Sequence, residues 1–131
     1  MSANVDPFVP TDRLLLVSIA KTIGKQSVYD AARYAWRLNR RRAESVDYVL
    51  AGDKGIVKGV FTVSTWLDAS PGQASRQNFP ELASTHSGPR LGFVGEPADE
   101  TAQIAYFEKR VPDYLAIGQN GIRYFEPVEN A

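Results

Sequence analysis

Arginine and aromatic residues occur together in residues 27–42, SVYDAARYAWRLNRRR, and they offer the clearest chemistry in this sequence. The segment holds five arginines and one acidic residue. If it forms one helix, a rotation of about 100° per residue places Arg33 and Arg37 beside Tyr29 and Trp36. Guanidinium groups present a planar fork of donors to phosphate oxygens, and aromatic rings offer a surface on which a base can stack. This face therefore predicts contact with a nucleic acid or a nucleotide-like ligand.

A structural explanation of the same residues stays open. Tyr29 and Trp36 are large aromatic residues that also fit beneath a second helix or a loop, because such side chains are mostly buried. The arginines would then pair with acidic residues elsewhere in the fold. The three arginines of residues 40–42 fit a solvated helix end, where cations complement the helix dipole. Arg33 and Arg37 lie mid-helix and are the stronger candidates for ligand contact.

Two positions outside this segment extend the candidate site. Trp66, at the end of a predicted strand, offers a second stacking surface. Asn120 follows Gln119, and amides of this kind can read the edge of a base. Asn120-Gly121 is also a typical turn sequence, so a structural role for Asn120 stays open.

Catalytic and metal-binding signatures are weak. Residues 21–27, KTIGKQS, lie between a strand and a helix as a phosphate-binding loop does, but Ile19 replaces its first glycine and Gln26 replaces its magnesium ligand. His86 is the only histidine, and one histidine without cysteine does not predict a zinc site. We expect no cofactor, and an enzyme that uses His86 or a loop carboxylate on a nucleotide-like substrate is the least favoured hypothesis.

The composition indicates one domain. The 131 residues, 44% of them hydrophobic, are enough for a single core, and the chain has no cysteine. The N-terminus lacks the features of a signal peptide and no apolar run approaches about 20 residues, so we predict a cytoplasmic protein without membrane contact. The formal net charge is zero, which argues against binding by bulk charge. Residues 27–42 nevertheless carry +4, five arginines less one aspartate, so the rest carries −4.

The elements that must position these residues follow in the order β-α-β-β-long loop-β-α-β. We predict strands at residues 14–20, 47–51, 56–66, 91–95 and 122–126, helices at 27–42 and 97–109, and a long loop at 68–90. Val57 and Phe61 are expected on one face of the third strand. The order predicts a single α+β domain over residues 1–131 with a flexible N-terminus at 1–12. Its small mixed or antiparallel sheet would curl or close into a barrel against two main helices.

Three groups of residues keep the order of a known pattern: residues 28–37, residues 47–60, and residues 93–95 with 119–124. They resemble a small, largely uncharacterised bacterial domain family, in which a YEATRGxWR-like helix precedes a hairpin and a late QNPxRY-like strand. That family is similar to the PUA-like barrels, including ASCH and EVE domains, which bind RNA or modified bases. Tyr34 and Gly121 depart from the glycine and proline of the pattern. The resemblance implies these motif residues: Tyr29, Arg33, Trp36, Arg37, Asn120 and Arg123.

The residues and the resemblance together predict a non-enzymatic binding module for RNA, DNA or a nucleotide-like anionic ligand. In this hypothesis Arg33 and Arg37 contact phosphate, and Trp36 or Trp66 stacks on a base. The alternative is a homodimeric interaction protein without nucleic-acid binding. In that protein the basic first helix of one chain would meet the acidic second helix of another.

Overall fold

Five strands and three helices form the part of the chain that the structure describes. A computed structural model describes residues 6–20, 24, 27–33, 36, 38–69, 90–112 and 121–127. In chain order the elements are β1 (Leu14–Ser18), α1 (Val28–Arg33), α2 (Arg40–Glu44), β2 (Tyr48–Asp53), β3 (Ile56–Asp68), β4 (Leu91–Pro97), α3 (Glu100–Tyr106) and β5 (Ile122–Phe125).

The strands form one mixed sheet in the order β4-β3-β2-β1-β5. Strands β1 and β2 are parallel, whereas the other three neighbouring pairs are antiparallel. Edge strands β4 and β5 do not pair with each other, so the sheet of the described residues is open. The predicted α+β class with a small mixed sheet is confirmed, while the described strands do not close into the alternative barrel.

Both faces of the sheet are covered, because side chains alternate along each strand. Leu15 and Val17 of β1 point into a core that also contains buried alanines of α1 and α2. Leu14 and Leu16 point into a second core that contains Tyr106 of α3. The continuous apolar run of β1, which predicted a buried strand, therefore contributes side chains to both cores. Helices α1 and α2 lie over one face, and α3 lies over the other.

The predicted hairpin is confirmed, but its side-chain phase differs from the prediction. Lys54 and Gly55 form the turn with φ angles of 52° and 87°, as a two-residue hairpin turn with two positive φ values requires. An irregularity in the β2–β3 pairing then shifts the register between Ala51 and Gly52. Val57 consequently lies in the core beneath α3, whereas Phe61 lies in the core beneath α1. The prediction that both share a face is wrong, because a bulge reverses the alternation.

Helix α3 begins and ends through local contacts. The Asp99 side chain accepts a hydrogen bond from the Ala102 backbone N–H at 3.0 Å and caps the N-terminus. The helix predicted over 97–109 is confirmed with narrower bounds, Glu100–Tyr106. We predicted a flexible N-terminus over residues 1–12. Within it, Phe8 is 3% exposed and its backbone N–H donates to the Arg110 carbonyl at 3.0 Å, so this part of the segment is packed.

The prediction of one continuous helix over residues 27–42 is wrong. Its start is as expected, since the Ser27 hydroxyl accepts from the Asp30 backbone N–H at 3.0 Å. At Trp36, however, the backbone pairs with Leu91 of β4 through two hydrogen bonds of 2.9 Å. Asn39 then adopts an extended conformation and caps a new helix. Pairing with a distant strand therefore interrupts the helical pattern and leaves two short helices, α1 and α2.

Candidate nucleic-acid interface

Tyr29 and Arg33 lie together, but they hold α1 on the sheet. The Tyr29 hydroxyl accepts a hydrogen bond from the Gly95 backbone N–H at 3.0 Å, and its ring packs against Phe61 and Phe93. The Arg33 guanidinium lies over the Tyr29 ring, 5.0 Å from its centroid. Arg33 Nε also donates to Asp30 Oδ1 at 2.9 Å, and the Arg33 side chain is only 18% exposed. This pair therefore presents little free surface to a ligand.

The two tryptophans are also part of the core beneath α1. The Trp36 indole N–H donates to the Ala32 carbonyl at 2.7 Å, and the side chain packs against the core as a partly buried residue. Trp66 is 7% exposed and meets the Phe93 ring edge-on at 5.4 Å between centroids. A base that stacks needs an open ring face. Trp66 is buried and offers no such face, while Trp36 is half-buried against the same core.

The remaining predicted site residues do not join these. Arg123 Nη1 donates to the Pro112 carbonyl at 3.1 Å, and its guanidinium lies 4.7 Å from the Phe125 centroid. Arg37 and Asn120 lie outside the described residues, as does His86. The single arginine-aromatic face predicted from a continuous helix is therefore not assembled in the part of the chain that the structure describes.

Basic side chains are instead presented by α2. Arg40, Arg41 and Arg42 are exposed, and they extend in different directions because successive helical residues differ by about 100°. Arg40 Nη1 donates to the Trp66 carbonyl of β3 at 3.1 Å. The Arg42 guanidinium lies over the Tyr124 ring of β5, 4.0 Å from its centroid. Since β3 and β5 are three strand spacings apart, the contacts of the triplet span roughly 14 Å of the sheet.

An arginine-aromatic pair does form in the described residues, between Arg42 of α2 and Tyr124 of β5. Such a cation–π contact fixes the guanidinium while its N–H groups stay available at the ring edge. Burial raises the pKa of the Tyr124 hydroxyl, and the Arg42 charge opposes that rise because it favours the phenolate. The hydroxyl oxygen is shielded from solvent and has no hydrogen-bond partner among the described residues, so the neutral form is favoured.

A pocket of about 340 Å³ lies next to the arginine triplet, between the end of α2 and β3. It lies where β3 continues past β2, since the β2–β3 pairing ends at Val49 and Phe61. Both apolar and polar residues line the pocket. Its lining residues are Glu44, Val46, Val63, Ser64, Thr65 and Trp66.

Sequence reasoning missed this pocket and placed residues 40–42 at the end of one long helix, whereas the structure places them on a separate helix, α2. One signal was available, because Asn39 is a preferred residue type for a helix N-cap and could have indicated a second helix. The pocket had no such signal. Its lining residues Val63, Ser64 and Thr65 include the register shift of β3 against β4, which the alternating sequence around Ser64 does not reveal.

The fold and this surface define the class of protein: a small α+β domain with a mixed open sheet and three consecutive exposed arginines on one helix. The chain matches no family description, no curated protein and no solved structure. The resemblance to PUA-like domains therefore stays a prediction.

None of the helices in the described residues is long and apolar enough to cross a membrane. The same residues contain no group of three acidic, histidine or cysteine side chains placed to hold a metal ion.

Proposed function

We propose that this protein is a non-enzymatic binding module for a nucleic acid, and that the arginine triplet of α2 contacts the phosphates. The observation that carries the proposal is the exposure of three consecutive arginines on a helix anchored at both ends of the triplet. Arg40 is held by the Trp66 carbonyl and Arg42 by the Tyr124 ring. Anchored guanidinium groups lose less side-chain freedom when they bind, which favours affinity.

The charges around α2 support the same proposal. Glu44 is the acidic residue in contact with the triplet, 3.6 Å from Arg40 Nη1. Arg41 forms no ion pair with an acidic side chain of the described residues, and Arg42 faces an uncharged ring. This surface therefore keeps a local positive charge in a chain whose formal net charge is zero. A local basic surface of this kind attracts a polyanion to one part of the molecule.

Salt-dependent binding tests the proposal. We expect wild-type protein to bind a fluorescein-labelled octauridylate, with affinity that falls as salt rises because binding releases counterions. Arg41→Ala with Arg42→Ala should weaken binding and reduce the salt slope by about 1.4, since each single-strand phosphate contact contributes about 0.7. The measurement is fluorescence anisotropy between 20 and 300 mM NaCl.

A matched control removes two positive charges from the hairpin, away from α2. Lys54→Asn keeps a residue that tolerates the positive φ of that turn, and Lys58→Gln removes an ion pair with Glu108. This double variant should retain the wild-type salt slope. If the two double variants lowered the salt slope equally, binding would depend on the total charge of the protein and not on the position of the arginines. That result would contradict the proposal.

A homodimer without nucleic-acid binding is the second candidate, and exposed apolar residues of α3 favour it. Ile104 of α3 is 69% exposed, and Phe107, the extended residue that follows the last turn of α3, is 43% exposed. The contact predicted between the basic first helix of one chain and the acidic second helix of another stays a prediction, and in each chain α2 and α3 lie over opposite faces of the sheet. A dimer through α3 alone would persist at high salt. Light scattering that shows a monomer at both 20 and 500 mM NaCl would rule it out.

A further inference from the structure

The pocket beside α2 lies where a strand of nucleic acid on the arginine triplet would place a base. Arg40 connects the two features, since its Nη1 atom donates to the Trp66 carbonyl at 3.1 Å and lies 3.6 Å from Glu44 Oε2. Trp66 and Glu44 both line the pocket. A phosphate on the triplet and a base in the pocket would therefore belong to neighbouring parts of one ligand.

The lining of the pocket is suited to a flat, polar-edged group. Val46, Val63 and Trp66 supply apolar contact, and the hydroxyls of Ser64 and Thr65 supply donors and acceptors. A volume of about 340 Å³ lies within the usual range for small-ligand pockets, about 300–1,000 Å³. Three apolar and three polar residues line the pocket, so it can contact both the flat face and the polar edge of such a ligand.

Glu44 determines which base edge the pocket fits. An ionised carboxylate only accepts hydrogen bonds, and it can accept two from adjacent donors. Among the four standard bases, guanine alone offers two adjacent donors on its Watson–Crick edge, the N1–H and the N2 amino group. Bases of single strands expose this edge. The Arg40 guanidinium beside Glu44 offsets the negative charge, which limits repulsion of nearby phosphates.

We propose that this pocket takes a guanine base of a single-stranded nucleic acid, with Glu44 accepting from N1–H and the N2 amino group. The inference rests on the proposed nucleic-acid function and adds base selectivity to it. Ser64 and Thr65 orient the base at the rim, and Trp66 supports it from below. Adenine, cytosine and uracil leave the carboxylate with at most one donor, so they fit less well.

The experiment compares labelled octauridylate with the same octamer carrying one central guanosine. Affinity for octauridylate measures phosphate contact. The additional affinity for the octamer with one guanosine measures binding of guanine in the pocket. A single guanosine is used because guanine-rich strands associate with one another. We expect wild-type protein to bind the guanosine octamer at least about fivefold more tightly, because a bidentate base contact contributes at least about that factor. Inosine at the same position lacks the N2 amino group and should lose most of this gain. Matching DNA octamers show whether the ribose matters.

Glu44→Gln is the decisive variant. It keeps the size of the side chain but replaces one acceptor oxygen by an amino group, so the guanosine gain should fall to less than twofold. Its affinity for octauridylate should equal or exceed that of wild type, which shows that the surface remains folded and basic. Glu100→Gln, which makes the same carboxylate-to-amide change on α3 over the opposite face of the sheet, should keep the full gain.

The outcomes separate the two proposals. Binding of octauridylate without a guanosine gain, or a gain that survives in Glu44→Gln, would overturn the pocket inference and leave the proposed function standing. Absence of binding to every octamer at 20 mM NaCl would overturn both. Loss of the gain in Glu44→Gln together with unchanged octauridylate binding would support both.

Discussion

Replacing Gly59 with alanine tests how closely α1 packs on the sheet. A methyl group at this position would lie 2.7 Å from Val28 Cγ1 and 2.8 Å from Phe61 Cε2, both closer than van der Waals contact. Overpacking of this kind costs about 1–3 kcal/mol. The loss of backbone freedom in the unfolded chain offsets about 0.4–1 kcal/mol of that cost. We therefore expect Gly59→Ala to lower the free energy of unfolding by roughly 1–2 kcal/mol.

Urea denaturation followed by circular dichroism and tryptophan fluorescence measures this change. A loss of that size should lower Tm by roughly 4–8 °C in a chain of this length. The control is Val28→Ala, alone and combined with Gly59→Ala, because the smaller side chain makes room for the new methyl group. The double variant should lose less stability than the sum of the single variants, and Phe61 keeps the rescue partial. An unchanged stability of Gly59→Ala, or strict additivity with Val28→Ala, would refute the close packing of α1.

Three further predictions concern stability. Tyr29→Phe should cost about 1 kcal/mol in urea denaturation, because the Gly95 N–H loses its partner; a neutral change would contradict that hydrogen bond. Asp99→Ala should cost about 1 kcal/mol through loss of the α3 cap, whereas Asp99→Ser should restore most of it. Burial, reinforced by a hydrogen bond to Asp12, raises the pKa of Tyr106, so its contribution to stability is complete below about pH 10 and is lost as pH rises through its higher folded value. Alkaline unfolding should be less steep in Tyr106→Phe, and an unchanged slope between pH 9.5 and 11.5 would exclude this contribution.

The elements that the sequence predicted correctly are those specified by contacts close along the chain. The hairpin turn needs residues that tolerate positive φ, and Lys54-Gly55 lies between two strand-forming runs. Helix α3 has an aspartate in the position that caps its first turn. Ser27 likewise begins α1 as expected. Each feature involves only a few neighbouring residues, so pattern reasoning could identify it.

The candidate site was predicted less well, because its geometry depends on contacts between distant residues. Arg33 and Tyr29 were expected to face a ligand, but the Tyr29 hydroxyl bonds to Gly95, 66 residues away. Aromatic and arginine side chains serve a core and its cover as readily as a ligand, and only the neighbours across the fold decide between these roles.

The sequence by itself determined an α+β domain, the order of its strands along the chain, and a segment of concentrated positive charge at residues 27–42. Tertiary structure decided where that charge is presented. Pairing of Trp36 with Leu91 divides the predicted helix and leaves residues 40–42 on a separate exposed helix. The reason is physical: helical periodicity is encoded locally, whereas a strand pair supplies backbone hydrogen bonds from a partner that no local pattern identifies.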